Sequence, residues 1–213
     1  MRALATLLLV LPLSALAEDE SALPRWSLGA GVLGPAIYST CDVVVNGGVL
    51  CVPSRGPGAG ASLERRLSRS NWLVMGASGA ISESEQVLDT QKYRSKLRQL
   101  TIDVGLRHLL TDRGALVDVS VLALAEGGYA DNTITTEGSP SSDQSLTSWI
   151  AGGDVELALD RELTAGLSLR VATPLAGVWW QKTDEKLSGL SGQGHSITAS
   201  FYLAPRLELR LAF

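Results

Sequence analysis

Ser196–Phe213, SITASFYLAPRLELRLAF, is the stretch of sequence that decides the fold. Its odd positions, from Ile197 to Phe213, are apolar almost throughout, whereas most of its even positions carry hydroxyl or charged groups. A period of two is that of a β-strand with one apolar face. A tilted strand crosses a bilayer in about 9–11 residues, so the run is long enough to span one. The edge strand of a soluble sandwich is the alternative, but an edge with so long an apolar face would invite aggregation.

The N-terminal residues have the features of an export signal. A short basic start, Met1-Arg2, is followed by the apolar run 3–13 and by Ala15-Leu16-Ala17, which fits a signal-peptidase site. We therefore expect a signal peptide over residues 1–17 and one β domain over residues 18–213. The net charge of −4 on an exported chain argues against nucleic acid as a partner.

Alternation along the rest of the chain predicts eight strands, and the connections between them alternate long and short. Tight polar turns are expected at 68–71, 111–114 and 160–162, and charged or polar loops at 39–57, 83–92, 131–146 and 181–195. The facing of the third strand is ambiguous, and Pro174 and Pro205 predict bulges or bends. The predicted strands are 25–38, 58–67, 72–82, 93–110, 115–130, 147–159, 163–180 and 196–213.

Alternation alone does not say which face is inside, because a soluble lipocalin points its apolar face inward. Two observations favour an apolar exterior: outward positions in mid-strand carry no charge, and aromatic residues gather at strand ends, as in interfacial girdles. The aromatic residues predicted for the periplasmic rim are Trp26, Trp72 and Phe213; those for the outer rim are Tyr38, Tyr93, Tyr129, Trp149, Trp179 and Trp180.

The whole pattern resembles the small OmpA/OmpX-like outer-membrane barrels. The resemblance depends on the terminal Phe213 strand and the signal peptide, and it covers nearly all of residues 18–213. It implies an eight-stranded antiparallel up-and-down transmembrane β-barrel in a bacterial outer membrane, among outer-membrane lipid and lipopolysaccharide. It also implies that the barrel assembly machinery reads Phe213.

Charged residues occupy the polar face of most strands. They could line a pore or form a self-neutralising plug of ion pairs, and the near balance of acids and bases favours the plug, since unpaired buried charges are costly. We predict that Arg170 lies at roughly the level of Arg206 and that acids across the lumen compensate the two; the candidates are Asp103, Asp118, Asp154 and Glu156. The predicted interior network is Glu64, Arg66, Asp103, Arg107, Asp118, Asp154, Glu156, Arg170, Arg206, Glu208 and Arg210.

Two short motifs remain. Cys41 and Cys51 flank a Val-rich segment with Asn46-Gly47-Gly48, and a disulfide between them is expected in an exported protein. His195-Ser196 invites comparison with lipid A deacylases and palmitoyltransferases, but neighbouring strand residues point to opposite faces. The pair is therefore badly arranged for nucleophilic catalysis.

The sequence thus predicts a monomeric barrel with a structural or surface-interaction role carried by four outer loops, which could contact an extracellular protein or ligand. We expect neither a cofactor nor a metal. The alternatives are a lipid A-modifying enzyme and a narrow channel.

Overall fold

The computed structural model describes residues 25–34, 38–39, 58–88, 91–111, 116–136, 144–187 and 190–213, and almost all of them lie in antiparallel strands. No helix among these residues is long and apolar enough to span a membrane. The strands are Trp26–Leu33 (β1), Tyr38–Ser39 (β2), Gly58–Arg66 (β3), Asn71–Leu88 (β4), Gln91–Leu109 (β5), Asp118–Thr136 (β6), Gln144–Thr164 (β7), Leu167–Leu187 (β8), Leu190–Leu203 (β9) and Arg206–Ala212 (β10).

The sheet closes on itself. Successive strands pair in chain order from β3 through to β9, β1 pairs with β3, and β10 pairs with both β1 and β8. The closing register places Ala30 opposite Leu209. The ten segments make eight barrel strands, because β2 continues β1 and pairs with β9, and β9 and β10 are two halves of the last strand. The chain is an eight-stranded antiparallel up-and-down barrel, as the sequence predicts.

Both predicted proline irregularities are present. The last strand is interrupted at Ala204 and Pro205, where the Gly34 amide donates to the Pro205 carbonyl at 2.8 Å. At Pro174 the register of β7 and β8 shifts, so that Val155 faces Ala176 and Glu156 faces Pro174. One extra residue of β8 is thus accommodated, and the side chains beyond it exchange faces.

Three of the predicted long loops are largely strand. The β4–β5 ladder continues to the pair Leu88 and Gln91, and the β6–β7 and β8–β9 ladders extend in the same way. The loops at 83–92, 131–146 and 181–195 were therefore predicted too long. Their polar residues lack the apolar alternation that indicates a strand, because water solvates both faces of a hairpin that projects beyond the membrane. Most of the first predicted loop, 39–57, lies outside the described residues.

The turn predicted at 160–162 is also misplaced. β7 continues to Thr164, and the chain reverses at Ala165 and Gly166. Gly166 has φ of +80°, a backbone conformation that residues other than glycine rarely adopt. This reversal carries Asp160 into the strand and onto its buried face.

The outer surface is an apolar belt. Large aliphatic and aromatic side chains are exposed all around the barrel, as illustrated by Ile102 at 62% and Phe201 at 66%. A water-soluble protein rarely exposes a continuous apolar surface of this extent, whereas an outer-membrane barrel requires one. Other members of the belt are Leu28, Val32, Met75, Leu100, Val104, Val155, Leu159, Val171, Leu175, Val178, Ile197, Leu207, Leu209 and Leu211.

The strand whose facing the sequence leaves open, β4, has its even residues inside. Val74 is 2% exposed and packs in the interior with Leu122, Leu124, Ala158 and Ala172. The reason is tertiary, because Val74 lies opposite the inward-facing Glu64 of β3. The interior therefore contains a small apolar cluster beside its charged groups.

Candidate functional site

The most densely connected group of charges is buried inside the barrel. Its centre is Glu64 on β3, whose side chain is completely inaccessible to solvent. The carboxylate forms ion pairs with Arg107 at 3.1 Å, Arg170 at 2.5 Å and Arg210 at 2.5 Å. Three guanidinium groups from β5, β8 and β10 thus converge on one acid. Their ion pairs connect β3 and β5 with β8 and β10, which lie on the other side of the seam between β1 and β10.

Asp160 is the second acid of this group and is missing from the sequence-predicted network. Arg170 donates to it from Nε at 2.8 Å and from Nη2 at 3.2 Å. Its other ion pairs are with Arg107 at 3.2 Å and Arg210 at 3.5 Å. Asp160 was predicted to lie in a turn because Asp160-Arg161-Glu162 has the polar composition of a turn. Its even parity with Asp154 and Glu156 would have shown that it shares their face.

A second layer extends the group along β10. Arg206 donates to Glu156 at 2.8 Å and lies 3.1 Å from Glu208. Glu208 in turn lies 3.9 Å from both Arg170 and Arg210. We call the whole set the interior cluster; its members are Glu64, Arg107, Glu156, Asp160, Arg170, Arg206, Glu208 and Arg210. Four carboxylates face four guanidinium groups, so the cluster is neutral overall.

The predicted level of Arg170 with Arg206 is off by two residues. The β8–β10 register places Arg170 directly opposite Glu208, and Arg206 opposite Ala172. Glu208 lies 3.9 Å from Arg170 and 3.1 Å from Arg206, so it offsets the repulsion between the two arginines. Of the acids predicted to compensate the two arginines, Glu156 does contact Arg206, whereas Arg170 depends on Glu64 and Asp160.

The four remaining members of the predicted network lie elsewhere in the wall. Arg66 donates from Nε to the Ser68 carbonyl at the periplasmic turn, at 3.1 Å. Asp103 and Asp154 are buried, and Asp118 is partly exposed. None of the four is without a partner.

Two tryptophans predicted for the membrane interface point inward instead. Trp72 is buried, and the Arg107 guanidinium lies over its ring at 4.1 Å from the centroid. Trp72 therefore closes the cluster from the periplasmic side, a role compatible with cation–π attraction. Trp26, in contrast, shares the outer surface with Arg65, whose guanidinium is 5.5 Å from the ring.

Trp179 is the second inward tryptophan, and the bulge at Pro174 explains why. Without the extra residue, the odd-numbered outward face of β8 would include Trp179; beyond the bulge, Trp179 is buried and Trp180 is exposed. The Trp179 indole donates to Glu126 at 3.3 Å. Gly177 leaves the space for its ring, because a Cβ there would lie 2.0 Å from a ring carbon.

Above Trp179 the interior is polar but not charged. Gln181 donates to Ser148 at 3.0 Å and to Thr183 at 3.2 Å. Ser196 and Thr198 of β9, the cross-strand partners of Gln181 and Trp179, are buried as well. The described part of the barrel thus has ion pairs in its periplasmic half and hydroxyl and amide groups in its outer half.

His195 and Ser196 face opposite sides, as strand geometry predicts. Ser196 is buried, whereas the His195 ring stacks on Trp180 with centroids 5.9 Å apart. His195 lies opposite Lys182 in the register of β8 and β9. The two residues do not form a nucleophile–base pair.

The remaining predicted sites are the cysteines and the terminal residue. Cys41 and Cys51 lie outside the described residues, so their pairing stays a prediction. Phe213 is exposed on the outer surface, its amide donates to the Trp26 carbonyl at 3.0 Å, and its carbonyl accepts from the Trp26 amide at 3.1 Å. The terminal residue is therefore part of the closing ladder.

No family model matches the chain, and no curated protein matches it. Solved structures do match. A major outer membrane protein from Thermus thermophilus aligns over 89% of this chain and 98% of its own, with 14% identity and a TM-score of 0.54. The outer membrane protease OmpT from Escherichia coli aligns over 95% and 100%, with 7% identity and a TM-score of 0.52. OprG from Pseudomonas aeruginosa aligns over 90% and 96%, with 12% identity and a TM-score of 0.50.

At these identities the likeness establishes the fold and nothing about activity. The fold and the apolar belt together identify a bacterial outer membrane as the environment of the protein. The closed ladder satisfies the backbone groups within the barrel, and the apolar exterior suits the surrounding lipid. The fold of the chain is that of the small outer-membrane β-barrels to which it is similar.

Proposed function

We propose that the protein is a structural and surface-interaction barrel whose interior is plugged by ion pairs and whose outer hairpins contact extracellular partners. The interior cluster is the observation that carries the proposal. Eight charged side chains from β3, β5, β7, β8 and β10 meet across the lumen, and all but the partly exposed Arg206 are buried. An eight-stranded barrel is just wide enough for its own side chains, so a neutral cluster of this size leaves little room for permeating ions.

The outer hairpins support the second half of the proposal. Nine residues of β5, 91–99, lie outward of Leu100, which corresponds to about 30 Å of strand at about 3.3 Å per residue. The β4–β5 hairpin is covered with exposed ion pairs between Glu83 and Lys96, Glu85 and Lys92, and Glu85 and Arg94. A charged projection on a barrel scaffold is suited to recognition.

Conductance in planar bilayers tests the plug. We expect no steady conductance from the wild-type protein. Steady single-channel steps would contradict the plug and favour the narrow channel.

A truncation tests the hairpins. Replacing residues 83–96 with a short turn should leave barrel assembly intact, measured as the faster migration of the unboiled sample on a detergent gel. If the truncated chain no longer assembles, the hairpin serves the stability of the barrel rather than recognition.

The enzymatic alternative has its own test. Incubation of the purified protein with lipid A, followed by mass spectrometry, should return the lipid unchanged. Loss or gain of an acyl chain would replace the proposed role with a lipid-modifying one.

A further inference from the structure

A groove of about 580 Å³ indents the lipid-facing wall across β5, β6 and β7. Leu100, Ile102 and Val104 form one side of it, and all three are about half exposed on the outer surface. Because their side chains belong to the apolar belt, the groove opens toward lipid rather than toward the lumen.

The floor of the groove is formed where β6 lacks side chains. Gly127 lies between Ile102 of β5 and Ala151 of β7 in the register. A Cβ built on Gly127 would meet no atom within 4 Å. The space above this glycine is therefore open, and a larger side chain there would fill the groove without disturbing the wall.

Two aromatic rings bound the groove on the side of the outer hairpins. Tyr129 and Trp149 are cross-strand partners with ring centroids 5.1 Å apart in an edge-to-face arrangement. Both side chains are exposed at the outer edge of the belt. Amphipathic rings at this level mark the boundary between acyl chains and headgroups.

An exposed cation, Arg98, lies just beyond this boundary. Arg98 follows Leu100 outward on the same face of β5 and is exposed. Farther out on that face, Lys96 and Arg94 are paired with Glu83 and Glu85. Arg98 forms no ion pair with any described residue, although Asp131 is its cross-strand neighbour. The Asp131 carboxylate instead accepts a hydrogen bond from Thr147 at 3.5 Å.

We propose that this groove binds an acyl chain of lipopolysaccharide and that Arg98 binds a phosphate of its lipid A headgroup. The long hairpins place the groove in the half of the membrane nearer the cell exterior, the leaflet in which a phosphorylated glycolipid is found. The three features match the three parts of the lipid in order: the apolar groove suits an acyl chain, the aromatic boundary suits a sugar, and the guanidinium suits a phosphate. This inference goes beyond the proposed function: it uses the position of the hairpins but depends neither on the plug nor on a recognition role of the hairpins.

Binding of defined lipids to the whole purified barrel in detergent tests the site. The probes are hexa-acylated lipid A, its dephosphorylated form and phosphatidylglycerol, each titrated while native mass spectrometry counts bound lipid. Gly127→Phe fills the groove, and Arg98→Ala removes the cation. We expect each change to weaken lipid A binding about tenfold, the loss expected for one charge-assisted contact or one displaced chain.

Matched controls isolate the groove. Gly194 is another glycine with open space around its Cβ position, but it lies in the outer β8–β9 hairpin; Gly194→Phe should leave binding unchanged. Arg94→Ala removes a cation of the same face that is already paired with Glu85, and it should have little effect. With dephosphorylated lipid A, the effect of Arg98→Ala should disappear while that of Gly127→Phe persists.

Three outcomes would overturn the proposal. Lipid A binding that neither variant changes would exclude the groove. Equal affinity of the wild-type protein for phosphatidylglycerol would exclude lipopolysaccharide as the preferred occupant. An equal loss in Gly194→Phe and Gly127→Phe would mean a general defect. If Gly127→Phe does not assemble on the gel, Gly127→Val and Arg98→Ala decide the result.

Discussion

Glu64→Gln should destabilise the barrel more than any comparable loss of a surface charge. The substitution keeps the shape of the side chain and removes its negative charge. At the 3.1 Å separation of Glu64 from Arg107, one ion pair corresponds to about 5 kcal/mol at an effective dielectric constant of about 20. Three such contacts are lost, but the cost of burying the carboxylate is recovered.

Broken buried ion pairs in other proteins cost about 3–5 kcal/mol, and we expect about 4 kcal/mol here. Three guanidinium groups would then share Asp160, with Glu208 3.9 Å from two of them. With a slope of about 2 kcal/mol per molar urea, the midpoint of unfolding should fall by about 2 M. Tryptophan fluorescence in lipid vesicles measures the midpoint, and gel mobility confirms which species unfolds.

Glu83→Gln is the matched control, since it removes the same charge from an exposed pair with Lys96. Its midpoint should stay close to that of the wild type, because solvent screens such pairs. Adding Arg210→Met to Glu64→Gln should recover part of the loss, since one excess cation is removed. Equal midpoints for Glu64→Gln and Glu83→Gln would refute the reasoning and mean that water screens the cluster.

Three further predictions concern single residues. Glu208→Gln should lower the urea midpoint less than Glu64→Gln does, because only its ion pair with Arg206 is as short as 3.1 Å and those with Arg170 and Arg210 are 3.9 Å; a larger effect would place the centre of the cluster on β10. The hydrogen bond from Lys96 lowers the pKa of Glu83. The pair therefore stabilises the β4–β5 hairpin at any pH above the ordinary glutamate pKa, and this stabilisation is lost as the pH falls through the lowered pKa of Glu83. Amide hydrogen exchange, corrected for its intrinsic dependence on pH, should become faster in the outer part of that hairpin at acid pH. A corrected exchange rate that stays the same across the pH range would contradict this. Deleting Phe213 should reduce the yield of assembled barrel without reducing export, as measured by fractionation and gel mobility, and an unchanged yield would exclude an assembly role.

The predicted disulfide has its own check. Cys41 and Cys51 should resist thiol-reactive reagents until reduced, and Cys41→Ser should leave the barrel assembled, because the strand ladders and the apolar belt stabilise it independently. Full labelling of both cysteines without reduction would show that the bridge is absent.

Local alternation was sufficient for the strands and their number, because every strand of a lipid-facing barrel has a period of two, as Ile197 to Phe213 shows. The apolar exterior needed two further features of the sequence, the absence of charge from outward positions in mid-strand and the aromatic residues at strand ends. The same alternation explains why Glu64, Arg170 and Glu208 face inward, since each is an even-numbered residue on a stretch of strand whose odd-numbered residues face outward.

Tertiary structure alone decided which charges meet. Whether Arg170 faces Arg206 or Glu208 depends on the register between β8 and β10, which is set by the closure of the barrel and not by either strand. The bulge at Pro174 likewise sends Trp179 inside and Trp180 outside, because one unpaired residue reverses the parity of everything beyond it. Alternation determines the face of a side chain within a strand, whereas its partner across the lumen is fixed only when eight strands close into one ring.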